Sequence, residues 1–120
     1  MTRAHPARVP EYLQHIVEAI DRATGYVAGM DVKAFEQDTR TQDAVIRSLQ
    51  IIGEAANKAR VANPELQATA SDIPWDVMYG MRNRMIHDYF EVDLAVVWQT
   101  IQRDLPVLRP QIVALLARMS

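Results

Sequence analysis

The run GMRNRMIHDYF, Gly80 to Phe90, places Arg82, Asn83, Arg84, His87 and Tyr89 within eight positions of a chain that holds only 3 histidines. Histidine titrates near neutrality and moves protons, a guanidinium holds two phosphate oxygens, and a carboxamide orients either group. That kit is sufficient for cutting RNA, because RNA carries its own nucleophile, the ribose 2′-hydroxyl. His87 would take the 2′-OH proton or deliver one to the departing 5′-oxygen, and Arg82 would stabilise the extra charge of the phosphorane-like transition state. DNA lacks that hydroxyl and would be spared.

Spacing sets how these groups can cooperate. On an ideal helix Arg82 and His87 lie about 140° apart around the axis, so they converge only on something outside their own helix. Asn83 and His87 share a face, as do Met85 and Tyr89. Arg84 and Asp88 share another and can pair at the surface for roughly a few tenths of a kcal/mol; otherwise Arg84 joins Asn83 as a candidate for positioning substrate. One histidine does not easily serve as base and acid in one pass, and a two-fold dimer formed along this helix would supply a second copy. The plainer reading is a polar helix end, with Tyr89 and Phe90 as core and His87 beside the last carbonyls.

A metal is not implied. His5 and His15 have no ligand spacing to His87 or to each other, and the acidic residues complete no zinc or magnesium set. The chain has no cysteine, which excludes disulfides, thiolate catalysis and cysteine-based zinc. No cofactor is expected.

These side chains need elements to hold them. At 120 residues the chain, 1–120, is expected to be one domain with a sizeable core. Thirteen Lys and Arg against 15 Asp and Glu give a formal charge of −2, so any phosphate polymer must be met by a local cluster rather than by bulk charge. The polar start MTRAHPARVPEYL is unlike a signal peptide, and no window approaches the ~20 apolar residues of a membrane span; a cytoplasmic protein without membrane association is expected.

Apolar residues at Tyr12, Leu13, Ile16, Val17, Ile20, Ala23 and Val27 predict a first helix over Glu11 to Ala28, opened by Pro10 and closed by Gly29. VKAF is a short helical turn or a loop. Asp38 or Thr39 caps a second long helix to about Val61, striped by Val45, Ile46, Leu49, Ile52, Ala56 and Ala59. Its small residues Gly53, Ala55, Ala56 and Ala59 suggest close approach of another backbone, since an interior glycine costs about 1 kcal/mol relative to alanine. After a connector with a helical turn at PELQ, Pro74 opens a third helix through about Tyr89, and Asp93 caps a last helical stretch from Leu94. Pro106 and Pro110 predict either a kink there or two helices with Asp104 as the second cap. The absence of period-two patterning makes the fold all-α, a four- to five-helix up-and-down bundle.

Arg82 to Tyr89 reads R-x4-H-x-Y, which resembles the signature of the HEPN superfamily (higher eukaryotes and prokaryotes nucleotide-binding), and specifically its HepT branch. The similarity extends through EYLQHIVEAIDRATGYVAGMD, QDAVIRSLQIIGEAA, IPWDVMYGMRNRMIHDYF and VDLAVVWQTIQRDLP, covering Glu11 to Leu108. The resemblance implies a homodimer with its cleft at the interface, acting as a metal-independent endoribonuclease and as the toxin of a toxin–antitoxin pair. It implies an MntA-like minimal nucleotidyltransferase antitoxin as partner. Arg82 and His87 then match the catalytic pair, Asn83 the polar residue after the arginine, and Tyr89 the tyrosine that the antitoxin modifies with AMP. A competing reading, favoured by the near-neutral charge and by Asp88 next to His87, is a non-catalytic helical subunit that holds a nucleotide or substrate for a partner nucleotidyltransferase.

Overall fold

The computed structural model describes residues 6–87 and 92–119, with side chains for 7–81 and 92–119. Every regular element among them is helical. After a 3₁₀ turn, Pro6–Arg8, helix α1 spans Val9–Tyr26 and buries Tyr12, Leu13, Ile16, Val17, Ile20 and Ala23 along one face. Pro10 stands in its first turn, where a missing N–H has no intrahelical partner to lose. The helix stops two residues earlier than its apolar stripe suggests. Ala28 N–H bonds to the Gly25 carbonyl at 3.2 Å and Met30 N–H to the Val27 carbonyl at 2.9 Å, and Gly29 turns the chain with φ of 79°, a conformation that only glycine adopts without strain.

Helix α2, Val32–Glu36, is the short element expected at VKAF; Asp31 caps it by accepting from Ala34 N–H at 2.8 Å. Its Phe35 is fully buried and meets the Trp98 ring at 5.4 Å between centroids. Helix α3, Thr39–Ala62, starts at Asp38, whose carboxylate accepts from Thr41 N–H at 3.0 Å and from the Thr41 hydroxyl at 2.8 Å. Gln42, one turn in, reaches back and donates to the Phe35 and Glu36 carbonyls at 2.8 and 3.1 Å. The α2–α3 corner is therefore closed by its own side chains.

Helix α3 is the spine of the molecule. It packs along α1 and along α5, Trp75–His87, and Gly53, Ala55, Ala56 and Ala59 are all buried in it. Small residues let helices approach on more than one side, so neighbours within the same chain account for the small-residue stretch. Between α3 and α5 runs a connector holding the single turn α4, Leu66–Thr69. The connector is tied down by backbone carbonyls: Trp75 Nε1 donates to Ala70 at 3.1 Å, Gln111 Nε2 to Asp72 at 3.0 Å, and an Arg118 guanidinium nitrogen to Thr69 at 3.3 Å.

Asp93 caps α6, Leu94–Gln99, accepting from the N–H groups of Ala95 and Val96 at 2.9 and 3.4 Å. Beyond α6 the chain stays helical into a separate last helix, whose N-cap position is Asp104 as expected, but without a side-chain cap bond. Residues Thr100–Asp104 form a π turn in which Leu105 N–H bonds to the Thr100 carbonyl, and Asp104 stays in the right-handed helical region. A widened turn before Pro106 relieves the crowding its ring imposes on the carbonyl four residues back. Helix α7, Leu105–Arg118, then continues with Pro110 inside it. Both prolines are on the exposed face, where water can satisfy the carbonyls they leave without a donor. Leu105, Leu108, Ile112 and Leu115 of α7 complete the core, and Arg109 clamps Asp21 of α1 with bonds of 2.7 and 3.1 Å.

Candidate active site

The placement of the polar motif begins at the other end of α5. Trp75 and Met78 are buried in the core, and Tyr79 and Met81 are half-buried beside it. Arg60, in the last turn of α3, donates to Asp76 in the first turn of α5 at 2.5 Å and to Asn57 at 3.2 Å, and its guanidinium lies 5.1 Å from the Tyr79 ring centroid. The end of α3 is thus latched to the beginning of α5, and the two helices run antiparallel. At equal rise per residue this register brings 82–87 alongside roughly 49–54 of α3, the stretch that contains Gly53.

Arg82, Asn83, Arg84 and His87 all lie in α5, with His87 its final residue; their side chains lie outside the described residues. The helical backbone spaces Arg82 and His87 by about 7.5 Å along the axis and about 140° around it. The backbone therefore brings Asn83 and His87 to one side of α5 and does not bring Arg82 and His87 to a common one. The expected third helix reaches Tyr89, but Asp88, Tyr89 and Phe90 lie outside the described residues. Among the described residues no three His, Cys, Asp or Glu side chains gather as a metal site would, and no helix is long and apolar enough to cross a membrane.

Two features beside the helix that carries the motif have no counterpart in the motif. The Arg60 latch joins residues 16 apart in sequence, a pairing that only the packing of two helices reveals. The second is a mostly apolar groove of about 370 Å³ between α5 and α7, lined by Pro74, Val77, Met78, Met81, Val107 and Leu108 together with the polar side chains of Asp72, Arg103, Asp104 and Gln111. Val77 and Val107 on its rim are 62% and 61% exposed. A valine at such a position stands out on a helix wheel only once the buried face is known.

The fold is all-α among the described residues, and α5 carries an arginine, an asparagine and a histidine in its second half. The chain belongs to the Ribonuclease HepT-like family, whose model matches residues 16–115. Three relatives are matched over most of their length. A Thermococcus cleftensis protein named "Probable ribonuclease HepT" is 38% identical over 109 residues, 91% of this chain and 93% of the relative. A protein of Caldanaerobacter subterraneus subsp. tengcongensis, provisionally named an RNase, is 34% identical over 89% of this chain and 93% of its own length. One from Methanocaldococcus jannaschii, likewise provisionally named an RNase, is 31% identical over 87% and 93%. No solved structure matches the chain.

Proposed function

We propose that this protein is a metal-independent endoribonuclease, the toxin of a toxin–antitoxin pair, with Arg82 and His87 as its catalytic residues. The observation that carries the reading is membership of a ribonuclease family over residues 16–115, a span that includes the one Arg-x4-His helix of the chain. In the reaction the 2′-oxygen attacks the adjacent phosphorus, the bond to the 5′-oxygen breaks, and the products are a 2′,3′-cyclic phosphate and a free 5′-hydroxyl. One proton leaves the 2′-hydroxyl and one reaches the 5′-oxygen, so no water or metal is consumed in this step. A base and an acid are needed, and His87 of two copies would supply them around one cleft. Arg82 would hold the non-bridging oxygens as charge builds, with Asn83 and Arg84 positioning the strand.

The homodimer follows from that requirement, and the exposed valines of the groove beside α5 support it, since an apolar rim of this kind is a surface suited to a second chain. Tyr89, two residues beyond His87, would be the control point. A nucleotidyltransferase antitoxin would join its phenolic oxygen to the α-phosphorus of ATP, releasing pyrophosphate and a proton and leaving a bulky anion where RNA phosphate must bind.

Cleavage of RNA by the purified protein, beside Arg82→Ala and His87→Ala, tests the nuclease. Loss of at least ~100-fold in each variant is expected for a proton-transfer or charge-stabilising group. Equal residual cleavage by all three proteins would leave only a nucleotide- or substrate-holding subunit. Intact mass after co-expression with a minimal nucleotidyltransferase tests Tyr89: the AMP adduct should appear and should vanish in Tyr89→Phe.

A further inference from the structure

We propose that a polar notch between α1 and α3 is a subsite for a backbone phosphate of single-stranded RNA, held by Lys58 and His15. The inference rests on the ribonuclease reading and extends it to how the strand is tracked away from the cut.

The notch is a half-open cavity of about 170 Å³ lined by Arg8, Tyr12, His15, Ile51, Glu54 and Lys58. Its basic side chains come from two helices, Arg8 and His15 from α1 and its approach, Lys58 from α3. Arg8 is already committed: it gives Glu11 two bonds of 2.9 Å and lies 5.8 Å from the Tyr12 ring centroid. It therefore forms a fixed wall, its charge balanced by Glu11. Lys58 and His15 are exposed; His15 has the Glu11 carboxylate as an electrostatic neighbour, while Lys58 has no hydrogen bond or ion pair among the side-chain contacts of the described residues and is the freer of the two. Glu54, the one carboxylate lining the notch, is itself engaged in an interaction. The groups left to receive a ligand are an ammonium and an imidazole, which together suit a phosphate oxygen.

Location selects the ligand. The α3 residues that line the notch include Ile51 and Glu54, the same stretch beside which the Arg82 to His87 half of α5 lies. Packed helix axes stand about 8–10 Å apart, which puts the notch roughly 12–15 Å from the α5 axis, one helix over. A strand leaving the cut site across α3 meets it within a few nucleotides. The lining is small, far below the roughly 800 Å² per partner that a stable protein interface buries.

The test uses His87→Ala protein, so that RNA stays intact, and a dye-labelled single strand of roughly a dozen nucleotides, the span of a single-strand binding groove. Anisotropy titrations run from about 50 to 200 mM salt. Adding Lys58→Ala should lower the slope of log affinity against log salt by about 0.7, so its deficit shrinks roughly 2.5-fold across that range. His15→Gln should weaken binding in the same direction, and Lys33→Ala, an exposed cation on α2, should leave the slope unchanged. Identical shifts in Lys58→Ala and Lys33→Ala would reduce the effect to overall charge and overturn the subsite. So would a Lys58→Ala variant that loses only inorganic phosphate, or only a protein partner, while binding RNA like its parent. RNA binding that depends on Lys58 in a wild-type chain that never cleaves would retain the subsite and remove the nuclease; cleavage that depends on Arg82 and His87 with RNA binding indifferent to Lys58 would do the reverse.

Discussion

Arg60 contributes more through its position than through its charge. Its side chain is 22% exposed while Asp76 is 83% exposed, so the ion pair alone gives at most ~1 kcal/mol; the Tyr79 ring adds roughly 0.5–1 kcal/mol. Arg60→Ala should lower the thermal midpoint by a few degrees and depress RNA cleavage by more than that loss explains, because the register of α5 is set there. An unchanged midpoint would show the latch to be idle. Glu18 is the opposite case. Its Oε2 is buried with no hydrogen-bond partner among the described residues, and an unsatisfied buried acceptor is destabilising. Glu18→Leu should raise the denaturation midpoint, by up to about 1 kcal/mol in free energy; a drop in urea titrations would show that the carboxylate has a stabilising role.

Carboxyls held below their usual range, Asp38 at a helix cap and Asp21 and Glu11 in ion pairs, point to an acid-sensitive fold. The Thr41 N–H and hydroxyl hold the Asp38 carboxyl below its usual range, and the Arg109 guanidinium does the same for Asp21. A carboxyl depressed in the folded state contributes stability that is fully present above its unfolded value, near ~4, and that is lost as pH falls through the lower folded value. Stability should therefore fall as pH drops below about 4, and Asp38→Asn with Arg109→Ala should flatten that part of the curve in calorimetry at graded pH. A slope unaltered in the double variant would assign acid unfolding elsewhere. For α6, Asp93→Ala should cost about 1 kcal/mol, measured by urea denaturation. These caps were legible in sequence because cap chemistry is local: an aspartate two or three residues before free N–H groups needs no tertiary partner. The π turn was not, because Pro106 says only that a bond is missing. Whether the helix kinks, breaks or widens depends on how Thr100, Ile101 and Leu105 are held in the core.

At the scale of the molecule the candidate motif residues come from residue type, spacing and the family resemblance, whereas what orients their helix has no sequence signal. Trp75 to Ala70, Gln111 to Asp72 and Arg118 to Thr69 are contacts between segments whose meeting no local pattern records. The surface shows the same division: Val77 reads as one more apolar residue until the fold leaves it outside. If the groove beside α5 seats a second copy, Val77→Asp should shift sedimentation toward the monomer, keep the helical circular dichroism and abolish cleavage. A monomer that cuts RNA at the parental rate would remove the shared cleft. The tethered connector has one more consequence, which concerns angular tolerance. From Trp75 to His87 the helix is a lever of about 18 Å, so a tilt of only ~3° at its base moves the far end by about 1 Å. Displacements of that size in a catalytic group are associated with roughly 100-fold losses in rate. If Arg82 and His87 are the catalytic pair, the carbonyls of Thr69, Ala70 and Asp72 would act as their angular reference, and substitutions at Gln111 or Arg118 should surface as losses of rate before they surface as losses of stability.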